Sequence, residues 1–249
     1  MTTQTAALAQ AERKPFPIER AAYWLAISFC AASMICISAT YMAGSTLPSP
    51  TGANGEPSGL ALSLAACGMG IALAHAPKAI GALARIKPPD ALCAAYYAFI
   101  VCAIPMGEAF SFYYRIPVWD SVLHFSSGFM LWMLGALTIV SVLRRKGCEA
   151  LITPAAVAVA AVAFALSVGA VWEFFEFSMD LALGTNMQKF MMEDGTALVG
   201  QAALADTMKD LIVGCLGALA ATLTFVPALK AGKGWLYESG ASQGRAVKP

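Results

Sequence analysis

Three short segments carry carboxylates and a histidine at helical spacing. Asp120 and His124 are related as i and i+4, and so are Asp206 and Asp210; Glu173, Glu176 and Asp180 follow as i, i+3 and i+7. On an α-helix each set shares one face. Together they could supply the mixed oxygen and imidazole ligands that suit Zn²⁺, Mn²⁺ or Fe²⁺, or an all-oxygen subset suited to Mg²⁺ or Ca²⁺. A metal held there would activate water, with His124 beside it and an uncoordinated carboxylate, Glu176, as general base.

These residues stand in apolar surroundings. The chain has 249 residues, 59% hydrophobic and 12% charged, against roughly 25% charged for a soluble domain. Six stretches, 21–44, 60–82, 91–112, 119–143, 151–177 and 206–228, reach the roughly 20 residues that a membrane-crossing helix needs. Runs of this length in lipid must be helical, because no water is present to satisfy free backbone groups. The expected fold is therefore all-α: one six-helix transmembrane domain over 20–229, between an N-terminal segment (1–19) and a polar, loosely ordered tail (230–249). The first apolar run is too long for a signal-peptide core of roughly 7 to 15 residues, so it reads as an uncleaved span.

Loop charge gives direction. Of the 16 Lys and Arg residues, all but Arg115, Lys189 and Lys209 fall on one side of this arrangement. The positive-inside rule then makes both termini cytoplasmic. Glu108, Asp120, His124, Glu173, Glu176, Asp180, Asp206 and Asp210 all fall in the outer layer. With a formal charge of +1 and no basic patch, the chain offers no nucleic-acid surface. Its surrounding partner is lipid.

Each group has a plainer reading. Asp120 and Asp206 at helix N-termini would cap free N–H groups. Glu173, Glu176 and Asp180 resist that account, since they crowd a helix C-terminus, where the dipole disfavours negative charge. Arg115, Lys209 and a protonated His124 are too few to balance seven outer carboxylates. A bound cation, shared protons, or a structural ion-pair layer would each resolve the surplus.

Other features have packing explanations. The seven cysteines lie mostly in apolar runs without a C-x-x-C pair and read as small buried residues. His75 reads as a satisfied helix-end histidine, and Ser126 and Ser127 in "HFSSG" lack the elbow of a serine hydrolase. The aromatics of "FSFYYRIPVW" suit an interfacial belt. Ala and Gly abundance in "AAVAVAAVAFALSVGA" and "GCLGALAA" suits close helix approach. No internal repeat and no broken helix pair is expected, which argues against a transporter.

The segments "YYRIPVWDSVLHFSSGF", "WEFFEFSMDLALGTNMQK" and "DTMKDLIVGCLGAL" together resemble the YjdF-like family of bacterial multi-pass membrane proteins, a domain of unknown function. The "D-x-x-x-H-F" element is loosely similar to VanZ-like proteins. The resemblance spans roughly residues 90–228. It groups Asp120 and His124, then Glu173, Glu176 and Asp180 with Asn186 and Gln188, then Asp206 and Asp210, and implies a bacterial inner-membrane location. Three functions fit: a metal-dependent hydrolase of a lipid or lipid-linked substrate, a proton- or cation-linked transporter, or a structural or regulatory membrane protein.

Overall fold

The computed structural model describes residues 18–44, 59–192, 195–231 and 236. The N-terminal segment up to residue 17, the Pro, Gly and Ser loop at 45–58, and the basic residues Lys233, Arg245 and Lys248 lie outside them. Eight α-helices are described: α1 (Ile18–Met42), α2 (Leu60–Leu73), α3 (Ala76–Ala84), α4 (Asp90–Val101), α5 (Phe112–Arg115), α6 (Trp119–Arg145), α7 (Pro154–Leu183) and α8 (Gln201–Lys230). A π-helical stretch, Cys102–Ala109, extends α4. Six segments are long and apolar enough to cross a membrane. Among the described residues there is no strand, only an isolated antiparallel bridge between Met191 and Ala197.

The second and third spans are not the unbroken helices expected. The second is interrupted at Ala74 and His75, where α3 restarts with a proline in its first turn. The third changes winding around Pro105, which has no N–H to give and would clash with the preceding turn. Phe110 N instead reaches Pro105 O at 2.9 Å, and the Trp119 indole donates to Cys102 O at 3.3 Å. The wider turn thus keeps its carbonyls satisfied inside lipid.

Helices α7 and α8 run past the expected ends. Thr153 caps α7 by accepting from Ala156 N at 3.2 Å; its other end stops at Gly184, a left-handed residue with φ 64°, the usual place for a residue without Cβ. Glu173 and Glu176 therefore lie well inside a helix. Asp206 is in the second turn of α8, and no side chain caps that helix. The capping explanation for Asp206 fails because the helix begins earlier, at Gln201.

The helices sort into two groups. In the first, α1, α2 and α4 with its π extension pack on one another; in the second, α6, α7 and α8 do, and the groups meet along α4 and α6. The core of the second is apolar, with Trp132, Leu137, Val140, Val157 and Ala218 buried. Leu236, in the tail expected to be loosely ordered, is buried in this same cluster. Leu25, Ile35, Leu83 and Leu223 are exposed, as side chains that face lipid should be.

Candidate metal centre

Close backbone contact builds the site. A Cβ at Gly128 would overlap the Gly214 carbonyl, and one at Gly217 the Phe125 carbonyl. Gly128 and Gly214 stand four residues beyond His124 and Asp210, on the same helix faces. The two helices touch one turn below the site, so His124 of α6 and Asp210 of α8 must meet above the contact.

His124 Nε2 lies 3.4 Å from Asp120 Oδ1 and 3.7 Å from Asp210 Oδ2. Each carboxylate turns its other oxygen towards a lysine. Lys189 Nζ donates to Asp120 Oδ2, and Lys209 Nζ is 3.8 Å from Asp210 Oδ1. Asp206 Oδ1 lies between them, 3.3 Å from Lys189 and 3.4 Å from Lys209. Asp210 is 2% exposed, and its Oδ1 has no hydrogen-bond partner among the described residues. Leaving a buried carboxylate oxygen unpaired is costly.

Lys189 belongs to no helix and is placed by the loop that follows α7. Asp180 Oδ1 accepts from Thr185 Oγ1 at 2.6 Å and from Met187 N at 2.7 Å, while Oδ2 accepts from Gln188 N at 3.0 Å. Asn186 bonds Met191 through both ends of its amide, at 2.8 and 3.1 Å. Fixed in this way, the loop turns back at Lys189, which has φ 46°, a left-handed conformation unusual for a side chain of this size. Burial pulls the Lys189 ammonium down, but the Asp120 and Asp206 carboxylates outweigh it and hold its pKa above the ordinary lysine value.

The α7 face contributes two buried carboxylates. Glu173 and Glu176 are buried, whereas their neighbours Trp172, Phe174 and Phe177 are exposed. Gln188 Nε2 lies 3.4 Å from Glu173 Oε2 and 3.1 Å from Thr207 Oγ1, linking α7 to α8. Glu176 Oε1 accepts from the Trp172 indole at 2.7 Å. A cavity of about 20 Å³ below the site is lined by His124, Glu173 and Asp210, with Ser127, Gly169 and Gly214. That is room for about one water.

The first helix group reaches the site at its edge. Glu108 of the π stretch is near enough to feel the charges of Asp120, Asp180 and Lys189. Tyr113 of α5 packs its ring against Gly107; burial first, then Glu108, Asp120, Glu176 and Asp210, drives its phenol well above the ordinary range.

Of the seven candidate ligands, Asp120, His124 and Asp210 come together, with one ligand atom from each inside a span of 4.8 Å. Asp206 and Glu173 border this group, and Glu176 stands beyond Glu173, turned to Trp172. Asp180 is spent on the loop. Lys189, which balances Asp120 and Asp206, is a site residue that helical spacing does not reveal, because it sits in a loop. Arg115, expected near the carboxylates, is exposed and makes no ion pair among the described residues. Ser126 and Ser127 donate to the Leu123 and His124 carbonyls at 3.0 and 2.9 Å, as residues of a packed helix do.

The chain matches the family model described as Predicted membrane protein (DUF2238) over residues 57–231. It belongs to this family. The YjdF-like proteins are the same family; the looser VanZ-like similarity found no support. The match takes in α2 to α8 and every residue of the site. No curated protein and no solved structure matches the chain.

Proposed function

We propose that Asp120, His124 and Asp210 hold a divalent cation, and that this family member is a membrane-embedded hydrolase acting on a lipid or lipid-linked substrate. One observation carries the reading: each aspartate gives one oxygen to a lysine and turns the other towards His124 Nε2. The 3.4 and 3.7 Å separations are close to the roughly 3.4 Å between neighbouring ligands of a tetrahedral ion bound at about 2.1 Å. Zn²⁺, Mn²⁺ and Fe²⁺ suit this donor set, and Mg²⁺ suits it less well because of the imidazole.

When bound, such a cation lowers the pKa of a coordinated water. Glu173 lines the small cavity with His124 and Asp210, so it is the better placed general base; Glu176, whose one oxygen is held by Trp172, would tune it. Lys189 and Lys209 keep the outer oxygens neutralised and would attract an anionic substrate group. Because the site sits at span ends, an amphiphile can reach it from the bilayer surface. The charge pattern of the loops supports cytoplasmic termini and a site on the outer face, and the family resemblance supports a bacterial inner membrane.

The lysine pairs favour a second reading, a self-neutralised structural layer that fixes helix register. Protein reconstituted in liposomes with Mn²⁺ or Zn²⁺ separates them, with lipid products followed by mass spectrometry. Metal-dependent release of a headgroup or acyl chain, lost in Glu173→Gln, is expected. Intact lipids in every condition, with the protein folded, would leave the structural reading.

A further inference from the structure

A second cavity lies at the opposite end of the molecule, where α6 finishes and α1 and α4 begin. Its volume is about 270 Å³, and its rim carries Glu19, Lys78 and Lys87 above a floor of Ile86, Pro88 and Cys93. The walls are held from several sides. Arg145 at the end of α6 donates to Arg85 O and Ala84 O at 2.8 and 2.9 Å. Ile86 N returns to Gly81 O at 2.9 Å, and the fold-back is tight, since a Cβ on Gly81 would lie 3.1 Å from Ile86 O. Lys78 Nζ rests 4.4 Å over the Tyr23 ring, a position that favours the ammonium over that ring.

The three rim charges do not neutralise one another. No ion pair within 4.0 Å joins Glu19 to either lysine among the described residues, so one acidic and two basic residues line one cavity without pairing. A simple anion would answer the lysines and leave Glu19 opposed. A ligand with a phosphodiester and a primary ammonium a few bonds apart satisfies all three. The apolar floor and the exposed Ile80 and Leu83 on α3 provide a surface along which attached chains can run.

From this arrangement we infer that the cavity binds the headgroup of a phosphoethanolamine-bearing phospholipid, its phosphate between Lys78 and Lys87 and its ammonium on Glu19. Basic pockets between membrane helices are suited to lipid phosphates. Glu19 adds the selectivity, since an ammonium with N–H groups can donate to it whereas a trimethylated one cannot.

The test is native mass spectrometry of the purified full chain with phosphatidylethanolamine, phosphatidylglycerol and phosphatidylcholine supplied in equal amounts. The wild type is expected to retain phosphatidylethanolamine over both others. Lys78→Gln/Lys87→Gln should reduce that retention about 30-fold, the equivalent of roughly 1 kcal/mol for each lysine near a lipid phosphate. Glu19→Gln should abolish the preference over phosphatidylglycerol while phosphatidylglycerol binding survives, a result that loss of folding would not give. Glycerophosphoethanolamine should compete, and inorganic phosphate should compete more weakly. Equal retention of the three lipids, preference for phosphatidylglycerol, equal competition by inorganic phosphate, or indifference to both variants in monodisperse protein would each overturn the assignment.

Discussion

Helices α6 and α8 meet backbone to backbone through Gly128, Gly214 and Gly217, whereas α1, α2 and α4 meet through rings and thiols. In that first group Tyr23 packs edge-on against Tyr97 at 5.6 Å, and Cys30 and Cys67 are fully buried. Among the described residues the first group encloses no acidic cluster, and the second encloses five carboxylates around one histidine. Close approach lets short aspartate side chains from two helices converge on His124. Lipid gives no hydrophobic drive for helix association, so packing and polar contacts must supply it, and the two groups use these two sources in different proportions.

The sharpest way to break the contrast is to fill a glycine contact. Gly128→Leu or Gly217→Leu forces α6 and α8 apart and should cost about 3 kcal/mol or more, seen as loss of monodisperse protein. In the first group, Gly68 has open space where a Cβ would go. Gly68→Ala should be neutral or stabilising by up to about 1 kcal/mol, because alanine favours the helix. Equal damage from both would erase the difference between the groups.

Next in size is the loop lysine. Lys189→Met leaves Asp120 buried beside His124 without its cation and should destabilise by about 2 kcal/mol, reduced from the cost of breaking a fully buried pair by partial exposure. The folded-state pKa of Lys189 is raised, so its contribution is fully present below the ordinary lysine value of about 10.4. It is lost as the pH climbs through the raised value. Thermal unfolding should therefore show a constant gap between wild type and variant from pH 7 to about 10 that closes at higher pH. A gap that closed on acidification would contradict the pairing.

Asp180→Asn should have a smaller effect, about 1 to 2 kcal/mol, confined to the loop. Faster amide exchange at residues 185–191, with the helices unchanged, is the expected signature.

Much of this contrast can be read in the chain. Carboxylates three and four residues apart had to share faces, and the burial of Glu173 and Glu176 between exposed aromatics bears that out. Six spans follow from length and hydropathy. Helix ends did not follow, because α7 and α8 continue beyond their apolar cores with polar residues still in helical turns. The interruption at His75 and the π turn at Pro105 depend on partners such as Trp119 that are distant in sequence. Lys189 was invisible as a site residue for the same reason: its place depends on Asp180 and Asn186 folding a loop against α6.

The central claim is tested most directly by counting metal in purified, monodisperse protein, with wild type beside Asp210→Asn. About one equivalent of a divalent transition metal in the wild type, lost in the variant while both remain folded, is the predicted result. Equal metal content in the two, or no metal in the wild type even after reconstitution, would contradict it and leave the lysine-balanced layer as the role of these carboxylates.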